Sequence, residues 1–530
     1  MRKLVFAFAL AFAAVFSGTC AVLATGDGVY YEVFVRSFYD SDGDGIGDFK
    51  GLTMKLDYLN DGNPATDTDL GIKGIWLMPV LESPSYHGYD VTDYYKIEKE
   101  YGTEQDFDAF IAAAHKRGIK VIMDLVLNHT SSENKWFVDP MKRDWYVWRN
   151  TVPAEWTKPW GGGRPEEVWH KKNGAYYYGA FGGHMPELNY QNPDVVKQME
   201  DVIKFWLDRG VDGFRLDAVR YLVETGGGPA RQADTPETHD ILKTLSKYAR
   251  SINKDCFIVG EVWAGNDTGA KYYGGGEELG HVFNFDLASA IINSVKSNNY
   301  SEIENVMNRA AGYPVPTDFY CPFLANHDQN RIASEFKGDI PRMKLATSIL
   351  LSMKGIPFMY YGEEVGMAGS GPHESIRTPM QWDVSANAGF TKGKPWERMQ
   401  DYYSGQNVAA QAKNRGSLLN HYKTLISVRN SRSEFFTHER IYIKNNVAKV
   451  YSYMYTDGSS GLLFAHNFDG ALSREITLYM EESGMKGGKC ALVNLISGKI
   501  QNVPLPHLQI DPLAPYETRI YQIDILKGEK

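Results

Sequence analysis

Residues 119–129 are IKVIMDLVLNH, an apolar run that contains one acid, Asp124, and ends in Asn128 and His129. An apolar run of this length is typical of a strand buried on both faces, as in a parallel sheet. Seven more runs of this kind, each followed by a polar turn and an amphipathic stretch, occupy residues 29–38, 72–80, 211–216, 257–263, 282–285, 319–325 and 356–361. Eight buried strands that alternate with helices predict a closed (β/α)8 barrel, the TIM-barrel class of α/β fold.

Two segments depart from this alternation and predict further domains. Residues 130–193 are rich in Trp, Tyr, Gly and Pro and are too long for an ordinary loop, so we expect an inserted domain after strand three. Residues 432–530 contain short β-rich runs separated by turns, which predict a C-terminal antiparallel β-sandwich. The barrel would then consist of residues 25–129 and 194–431.

The first 24 residues have the order of a secretory signal peptide. Two basic residues precede an apolar run at 4–16, and a Val22-Leu-Ala24 cleavage site follows. The run is too short to span a membrane, and no hydrophobic stretch after Thr25 is long enough to do so. Because residues 17–20 loosely resemble a lipoprotein box ending in Cys20, a lipid anchor is the alternative to free secretion. We expect a secreted, periplasmic or cell-surface protein.

Composition excludes several classes of protein. The chain of 530 residues has 56 Lys+Arg against 65 Asp+Glu and is 43% hydrophobic, which excludes general disorder and a polybasic nucleic-acid binder. Three cysteines remain after the leader, too few for a disulfide framework, and no Cys/His cluster indicates zinc: Cys256, Cys321 and Cys490. The aromatic fraction of 13% is compatible with sugar binding.

Charged side chains and histidines stand where four of the predicted strands end. The active site of a (β/α)8 barrel lies at that edge of the sheet. A single acid there is usually a helix cap or a local ion-pair partner, but the coincidence at four strand ends predicts one catalytic site. The residues concerned are Asp124, Asn128 and His129 after strand three, Arg215, Asp217 and Arg220 after strand four, Glu261 after strand five, and His327 and Asp328 after strand seven.

These four segments resemble the hallmark regions of the α-amylase superfamily of retaining glycoside hydrolases. Three further segments resemble the same superfamily: GIWLMP at 74–79, MPELN at 185–189 and GIPFMYYGE at 355–363. The resemblance covers about residues 29–383 and is closest to secreted bacterial α-amylases intermediate with oligo-1,6-glucosidases. It implies a catalytic barrel with a β-rich C-terminal domain.

Retaining hydrolysis requires two carboxyl groups about 5–5.5 Å apart, one a nucleophile and the other an acid/base. Asp217 is the expected nucleophile. Arg215 lies two residues earlier on the same strand, so both side chains point to one face, and its charge would hold Asp217 ionised. Glu261 is the expected acid/base, because the apolar neighbours Val262 and Trp263 would raise its pKa.

The resemblance implies the remaining roles. It assigns Asp328 to stabilising the oxocarbenium-like transition state and to binding sugar hydroxyls. It assigns His129 and His327 to hydrogen bonds with the sugar just before the cleaved linkage, and Tyr89 to stacking on a sugar ring. Two more residues are expected to bind substrate, the first beside that tyrosine and the second on the leaving-group side: His87 and Arg220.

Residues 40–48, DSDGDGIGD, have the spacing of an EF-hand-type calcium loop, with Gly45 at the sharp turn. The alternative is an Asp/Gly turn without metal, and Gly51 replaces the Glu expected at position 12. We favour calcium, because four carboxylates within nine residues repel one another strongly without a cation, and relatives in the superfamily carry a metal loop at this point. The expected ligands are Asp40, Asp42, Asp44, the Ile46 carbonyl and Asp48.

A second calcium site at Asn128 stays open. In many α-amylases this Asn helps to bind calcium between the barrel and the insertion, together with a His shortly after the nucleophile. Tyr221 occupies that position in this sequence.

Different motifs of the sequence resemble different branches of the superfamily, so the exact activity has to be chosen between them. RTPMQW at 377–382 and the Asp-rich loop resemble the oligosaccharide-cleaving branch, whereas YHGYD at 86–90 and Ala218 resemble α-1,4-acting amylases. A secreted enzyme meets polymer, so we predict an α-1,4-glucan endohydrolase acting on starch, glycogen or maltodextrins. The alternatives are an exo-acting α-glucosidase or transglucosidase on short maltodextrins and a non-catalytic glucan-binding protein, which would lack catalytic acids.

Overall fold

The computed structural model of the protein describes residues 28–316 and 318–526. The predicted signal peptide and Cys20 therefore lie outside the described residues. Within them, no helix combines the length and the apolar character that crossing a membrane requires. The three cysteines Cys256, Cys321 and Cys490 are buried and form no disulfide.

Eight parallel strands form the central sheet, in the order β7-β6-β5-β4-β3-β2-β1-β8. A backbone hydrogen bond of 2.9 Å from Phe358 N to Pro322 O joins the two ends of this order. The predicted (β/α)8 barrel is confirmed. Its strands are β1 (Tyr30–Val33), β2 (Gly74–Leu77), β3 (Lys120–Val126), β4 (Gly213–Asp217), β5 (Phe257–Gly260), β6 (His281–Phe283), β7 (Tyr320–Cys321) and β8 (Phe358–Tyr360).

Amphipathic helices surround the barrel and bury one face each. The helix Glu104–Lys116 begins at a capping box between Thr103 and Asp106, and it buries Phe107 and Phe110. The longer helices that cover the sheet are Glu104–Lys116, Pro193–Asp208, Pro236–Ile252, Phe285–Ser297, Ser301–Ala311, Ile340–Ser352 and Leu418–Asn430. Aromatic side chains fill the barrel interior, among them Tyr30, Trp76, Phe257, Phe283 and Phe358.

The register of neighbouring strands decides which side chains meet at the barrel mouth. Asp124 on β3 pairs with Arg215 on β4, and Val126 pairs with Asp217. Leu216 pairs with Gly260, the last residue of β5. Since side chains alternate along a strand, Asp124, Arg215 and Asp217 face the same side, and Glu261 begins the next loop beside them.

The insertion after β3 contains a small antiparallel sheet of three strands, Trp148–Arg149, Trp169–Lys172 and Ala175–Tyr178. It has an aromatic core in which Trp156 contacts both Trp169 and Tyr178. The backbone of the insertion meets the barrel at an isolated bridge between His129 and Glu187.

The C-terminal part is antiparallel, as predicted. Six strands form one sheet in the order β9-β11-β12-β17-β14-β15, and three form a second in the order β10-β13-β16. Their bounds are β9 (Glu439–Tyr442), β10 (Lys444–Asn445), β11 (Val450–Thr456), β12 (Ser460–Asn467), β13 (Ile476–Tyr479), β14 (Lys489–Asn494), β15 (Ile500–Pro504), β16 (His507–Ile510) and β17 (Thr518–Ile525). The runs that the sequence predicts at 441–443, 447–455, 461–467, 476–479 and 519–523 overlap β9, β11, β12, β13 and β17, whereas no predicted run corresponds to β10, β14, β15 or β16.

Candidate active site

One buried guanidinium, that of Arg215, lies at the centre of the barrel mouth. Its Nη1 donates to Asp124 Oδ1 at 2.9 Å and to Asp217 Oδ1 at 2.7 Å. Its Nη2 lies 3.0 Å from Glu261 Oε1. The strand register thus brings three carboxyl groups around one cation, and two of them are the predicted nucleophile and acid/base.

The backbone turn after β4 fixes Glu261 from the other side. Ala218 has φ 48° and ψ 34°, a left-handed conformation that non-glycine residues seldom adopt. In this conformation its N–H donates to Glu261 Oε2 at 3.0 Å. Both oxygens of Glu261 are therefore held, one by a guanidinium and one by a backbone amide.

The setting of Glu261 differs from the sequence expectation. Instead of an apolar pocket formed by its neighbours, the carboxyl meets Arg215 and an N–H group. The Trp263 indole turns away and stacks on Phe285, with ring centroids 5.0 Å apart. It remains 47% exposed, so it lines the cleft rather than enclosing the acid.

The cluster around Arg215 contains more negative charge than the sequence led us to expect, because Asp124 adds a third carboxyl group. Burial raises the pKa of Asp217 above its usual range, Arg215 opposes this effect, and Glu261 and Asp124 add to it. Arg215 lowers the pKa of Asp217, as the sequence led us to expect, but burial and the neighbouring carboxyls outweigh it. The expectation that Arg215 holds Asp217 ionised is therefore not met by this pair alone, because three carboxyl groups share one cation.

A second charged cluster surrounds His327, which is fully buried. Its Nδ1 lies 2.5 Å from Glu32 Oε1, and its Nε2 lies 3.1 Å from Asp328 Oδ2. Arg377 Nη2 donates to Asp328 Oδ1 at 2.8 Å. Although burial favours the neutral ring, Asp328 and Glu32 raise the pKa of His327 to about 9. Burial also disfavours the charge on Asp328, but His327 and Arg377 hold the pKa of Asp328 well below its usual range.

Tyr89 joins the two clusters. Its hydroxyl donates to Asp124 Oδ2 at 3.1 Å and lies 2.5 Å from His327 Nε2. Its ring stacks on His327 at 5.5 Å and on His87 at 6.1 Å. Burial lowers the pKa of His87 to about 4 and that of His129 to about 3, so both rings are neutral near neutral pH.

A cleft of about 630 Å³ exposes most of the predicted site residues together. Arg215 and His327 lie buried and position the others. The predicted residues that line the cleft are His87, Tyr89, His129, Asp217, Arg220, Glu261 and Asp328. Several further residues complete the site, none of which the sequence had identified as catalytic or substrate-binding: Glu32, Asp124, Trp160, Phe181, Tyr221, Trp263 and Arg377.

Three of these residues carried a signal in the sequence. Asp124 is an acid within an otherwise apolar strand, which requires a buried cation as its partner. Glu32 carries the same signal, because it is the one acid in the apolar run of β1. Arg377 begins the RTPMQW segment, which pointed to a branch of the superfamily but not to a contact with Asp328.

Asn128 lies at the base of the insertion. It is buried, and its Oδ1 has no hydrogen-bond partner. The buried carboxyl of Glu187 interacts with both Asn128 and Glu224, and burial followed by the charge of Glu224 raises the pKa of Glu187 well above its usual range. Unpaired oxygens and facing carboxyls suit a shared proton or a cation equally, so the second calcium site stays open.

The Asp-rich loop brings three of its four carboxylates together. Asp40, Asp42 and Asp48 offer oxygens that all lie within 4.8 Å of one another. Asp44 is outside this group, and its carboxylate accepts a hydrogen bond of 2.8 Å from Ile46 N. Gly45 has φ 98°, and a Cβ there would lie 1.8 Å from the Lys394 carbonyl oxygen. The donor set consists of hard oxygens, which fit calcium.

Residues 32–438 match the family model described as the alpha amylase catalytic domain. The chain belongs to the α-amylase family. It is a glycoside hydrolase of the α-amylase type, and the charged clusters at its barrel mouth are the candidate catalytic centre of such an enzyme.

Proteins named for different activities are similar to this chain. Alpha-amylase 3 of Dictyoglomus thermophilum is 40% identical over 410 residues, which cover 76% of each chain. An oligo-1,6-glucosidase of Heyndrickxia coagulans is 33% identical over 514 residues, covering 83% of this chain and 91% of that protein. The crystal structure of an alpha-amylase from H. orenii matches with a TM-score of 0.81 and 39% identity, over 94% of this chain and all of that one.

Replacing either expected catalytic acid tests the chemical assignment. Asp217→Asn and Glu261→Gln should each lower kcat on soluble starch by at least about 10³-fold, because each removes a chemical role rather than a contact. Asp240→Asn is the matched control, an exposed acid on a barrel helix that should keep full activity. Starch hydrolysis close to wild type by either site variant would refute the assignment.

The raised pKa of the buried His327 should make the stability of the fold decrease at alkaline pH. Its pKa is about 9 in the fold against an ordinary 6.5, so its stabilising charge is fully present below about pH 6.5 and is lost as pH rises through about 9. The melting temperature of the wild type should therefore fall between about pH 7 and about pH 10. Glu32→Gln removes one of the charges that raise this pKa and should make the fall shallower. Equal slopes in both proteins would contradict the account.

Proposed function

We propose that the protein is an endo-acting, retaining hydrolase of α-1,4-glucosidic bonds in starch, glycogen or maltodextrins. The observation that carries the proposal is a pair of exposed indoles in the cleft that contains the proposed catalytic acids. Trp160 and Trp263 line this cleft and are 50% and 47% exposed. Flat aromatic faces left open to the cleft suit the rings of a chain that extends past the cleavage point. The α-amylases at 40% and 39% identity support the same activity.

The proposed reaction is a double displacement. Asp217 attacks the anomeric carbon and forms a glycosyl ester, while Glu261 transfers its proton to the leaving oxygen. Water then attacks the ester, Glu261 accepts the proton, and Asp217 is released as a carboxylate. Both acids contact the guanidinium of Arg215, which supports the short separation that retention requires.

The second cluster supports the cationic transition state. Asp328 keeps its negative charge because His327 and Arg377 flank it. An ionised carboxylate fixed at the cleft surface favours positive charge that develops on the sugar ring. The neutral His129, whose Nε2 has no hydrogen-bond partner, is available to a sugar hydroxyl.

An exo-acting α-glucosidase or transglucosidase is the second candidate. The oligo-1,6-glucosidase relative at 33% identity favours it, as does the RTPMQW segment. A non-catalytic glucan-binding protein is the least favoured function, because Asp217, Glu261 and Asp328 all line one cleft. We also propose export of the chain, freely or through a lipid on Cys20, on the evidence of its leader sequence.

We further propose one calcium ion in the Asp-rich loop. Asp40, Asp42 and Asp48 would hold it with the Ile46 carbonyl, as their spacing and the cluster of oxygens support. Bound there, calcium would neutralise the carboxylates and tie the loop to the start of the helix Phe49–Met54, whose N-cap is Asp48.

Product analysis separates the two catalytic candidates. An endo-acting enzyme uses several subsites, so starch should lose iodine staining faster than it gains reducing ends, and maltose should be nearly inert. Isomaltose should be inert as well. Glucose as the first product, released from maltose as readily as from starch, would contradict endo action and favour the α-glucosidase.

Chelation tests the calcium site. A cation present at about 100 times its Kd stabilises the fold by about 2.7 kcal/mol, so chelator should lower the melting temperature of the wild type. Asp42→Ala should abolish most of this response. Asp44→Ala is the matched control, since Asp44 is equally exposed but lies outside the cluster of oxygens. Equal chelator responses in wild type and Asp42→Ala would place the metal elsewhere or exclude it from the loop.

A further inference from the structure

The hydrogen-bond donors of Arg220 are taken up by other groups of the protein, whereas the sequence led us to expect that this side chain binds substrate. Its Nε and Nη2 donate to the two carboxylate oxygens of Asp234, at 2.9 and 2.6 Å. This is a bidentate ion pair, the strongest and most directional arrangement of Arg with a carboxylate. Its Nη1 donates to the Trp263 carbonyl oxygen at 2.9 Å. Arg220 therefore ties the segment after β4 to the segment after β5.

The partner carboxylate is itself held in place. Tyr272, which is fully buried, donates its hydroxyl to Asp234 Oδ1 at 2.6 Å. Asp234 N donates to the Arg220 carbonyl oxygen at 2.8 Å. Burial alone would raise the pKa of Asp234, but Arg220 and Tyr272 lower it, so the carboxylate stays charged. The network of Arg220, Asp234 and Tyr272, called the clamp below, is fixed on both sides.

A further layer supports the clamp from beneath. The Tyr272 ring packs against His239, with centroids 4.4 Å apart. His239 Nδ1 lies 2.8 Å from Glu278 Oε1, and Glu278 is buried. The clamp is thus anchored in the packed helices of the barrel and does not depend on surface side chains.

The clamp holds the segment that carries Trp263. One face of this indole stacks on Phe285 at an interplanar angle of 11°, and the residue lines the cleft. Trp263 lies two residues after Glu261, the proposed donor of a proton to the leaving oxygen. The first sugar on the leaving-group side must be bonded to that oxygen, so it comes to lie beside Trp263.

We propose that Arg220 is a positioning residue: through the clamp it fixes the Trp263 backbone, so that the indole forms the platform for the sugar on the leaving-group side. This inference rests on the proposed glycoside hydrolysis and on a sugar leaving group, but not on endo action. The ligand class is the acceptor-side part of an α-glucan. The indole supplies the contact with it, and the guanidinium supplies none.

Two substrates separate positioning from chemistry. Maltopentaose has sugars on the leaving-group side, whereas the fluoride leaving group of α-glucosyl fluoride fills no sugar subsite there. Arg220→Lys breaks the bidentate pair and keeps the charge. It should lower kcat/KM for maltopentaose about tenfold, mainly through KM, because small misplacements of a positioning group are costly. The loss on α-glucosyl fluoride should be at least about fivefold smaller.

A double-mutant cycle identifies the group through which Arg220 acts. Once Trp263→Ala has removed the platform, adding Arg220→Lys should cost less than about twofold on maltopentaose, since coupled residues are non-additive. Asp234→Asn should reproduce the pattern of Arg220→Lys, which guards against a folding defect in one variant. The control is Arg231→Lys, an exposed residue whose ion pair with Glu155 is long at 3.8 Å, and it should behave as wild type.

Each other outcome overturns the inference. Full additivity with Trp263→Ala would mean that Arg220 contacts the sugar itself. Equal losses on both substrates would mean that Arg220 acts on the catalytic acids, and no loss on either would mean that the clamp positions nothing. A wild type inactive on both substrates would refute the proposed function and this inference with it. A wild type active on both, with any of the other patterns, refutes the inference alone.

Discussion

The site depends on one buried cation, the guanidinium of Arg215. Three carboxyl groups approach it, and each would be costly to remove from water without this partner. The strand register produces the arrangement, because it sets Asp124 opposite Arg215, and Arg215 lies two residues before Asp217 on the same strand. Fold and chemistry are therefore coupled through the pairing of β3 with β4.

The two charged clusters have opposite balances of charge. Around Arg215, carboxyls outnumber cations, and burial and the neighbouring carboxyls raise the pKa of Asp217. Around Asp328, the charges of His327 and Arg377 favour the carboxylate. Tyr89 lies between the clusters and contacts both.

The strands, and the place of the candidate catalytic acids at their ends, could be predicted from sequence because a strand buried on both faces leaves an uninterrupted apolar run, and a polar residue at its end is conspicuous. The residues at which the strands begin and end could not be predicted in this way. The apolar run 319–325 contributes only Tyr320–Cys321 to the sheet, since apolarity reports burial and not ladder hydrogen bonds. Strand β14, Lys489–Asn494, was missed because its exposed and buried residues alternate over a short length.

Contacts between loops also could not be predicted from the sequence. The role of Arg220 depends on Asp234, 14 residues away in a loop with no periodic pattern. The spacing of the Asp-rich loop predicted four equivalent carboxylates, but the turn at Gly45 brings only three of them together. In both cases the deciding factor is the path of irregular backbone, which residue types constrain only weakly.

The most direct test of the central claim is to identify the carboxyl that becomes glycosylated. A slow-reacting fluorinated α-glucosyl fluoride traps the covalent intermediate of a retaining enzyme, and mass spectrometry of the digested protein locates it. The account predicts one adduct per chain, on the peptide that contains Asp217, and no adduct in Asp217→Asn. An adduct on Asp124, Glu261 or Asp328, or catalysis without any covalent adduct, would contradict it.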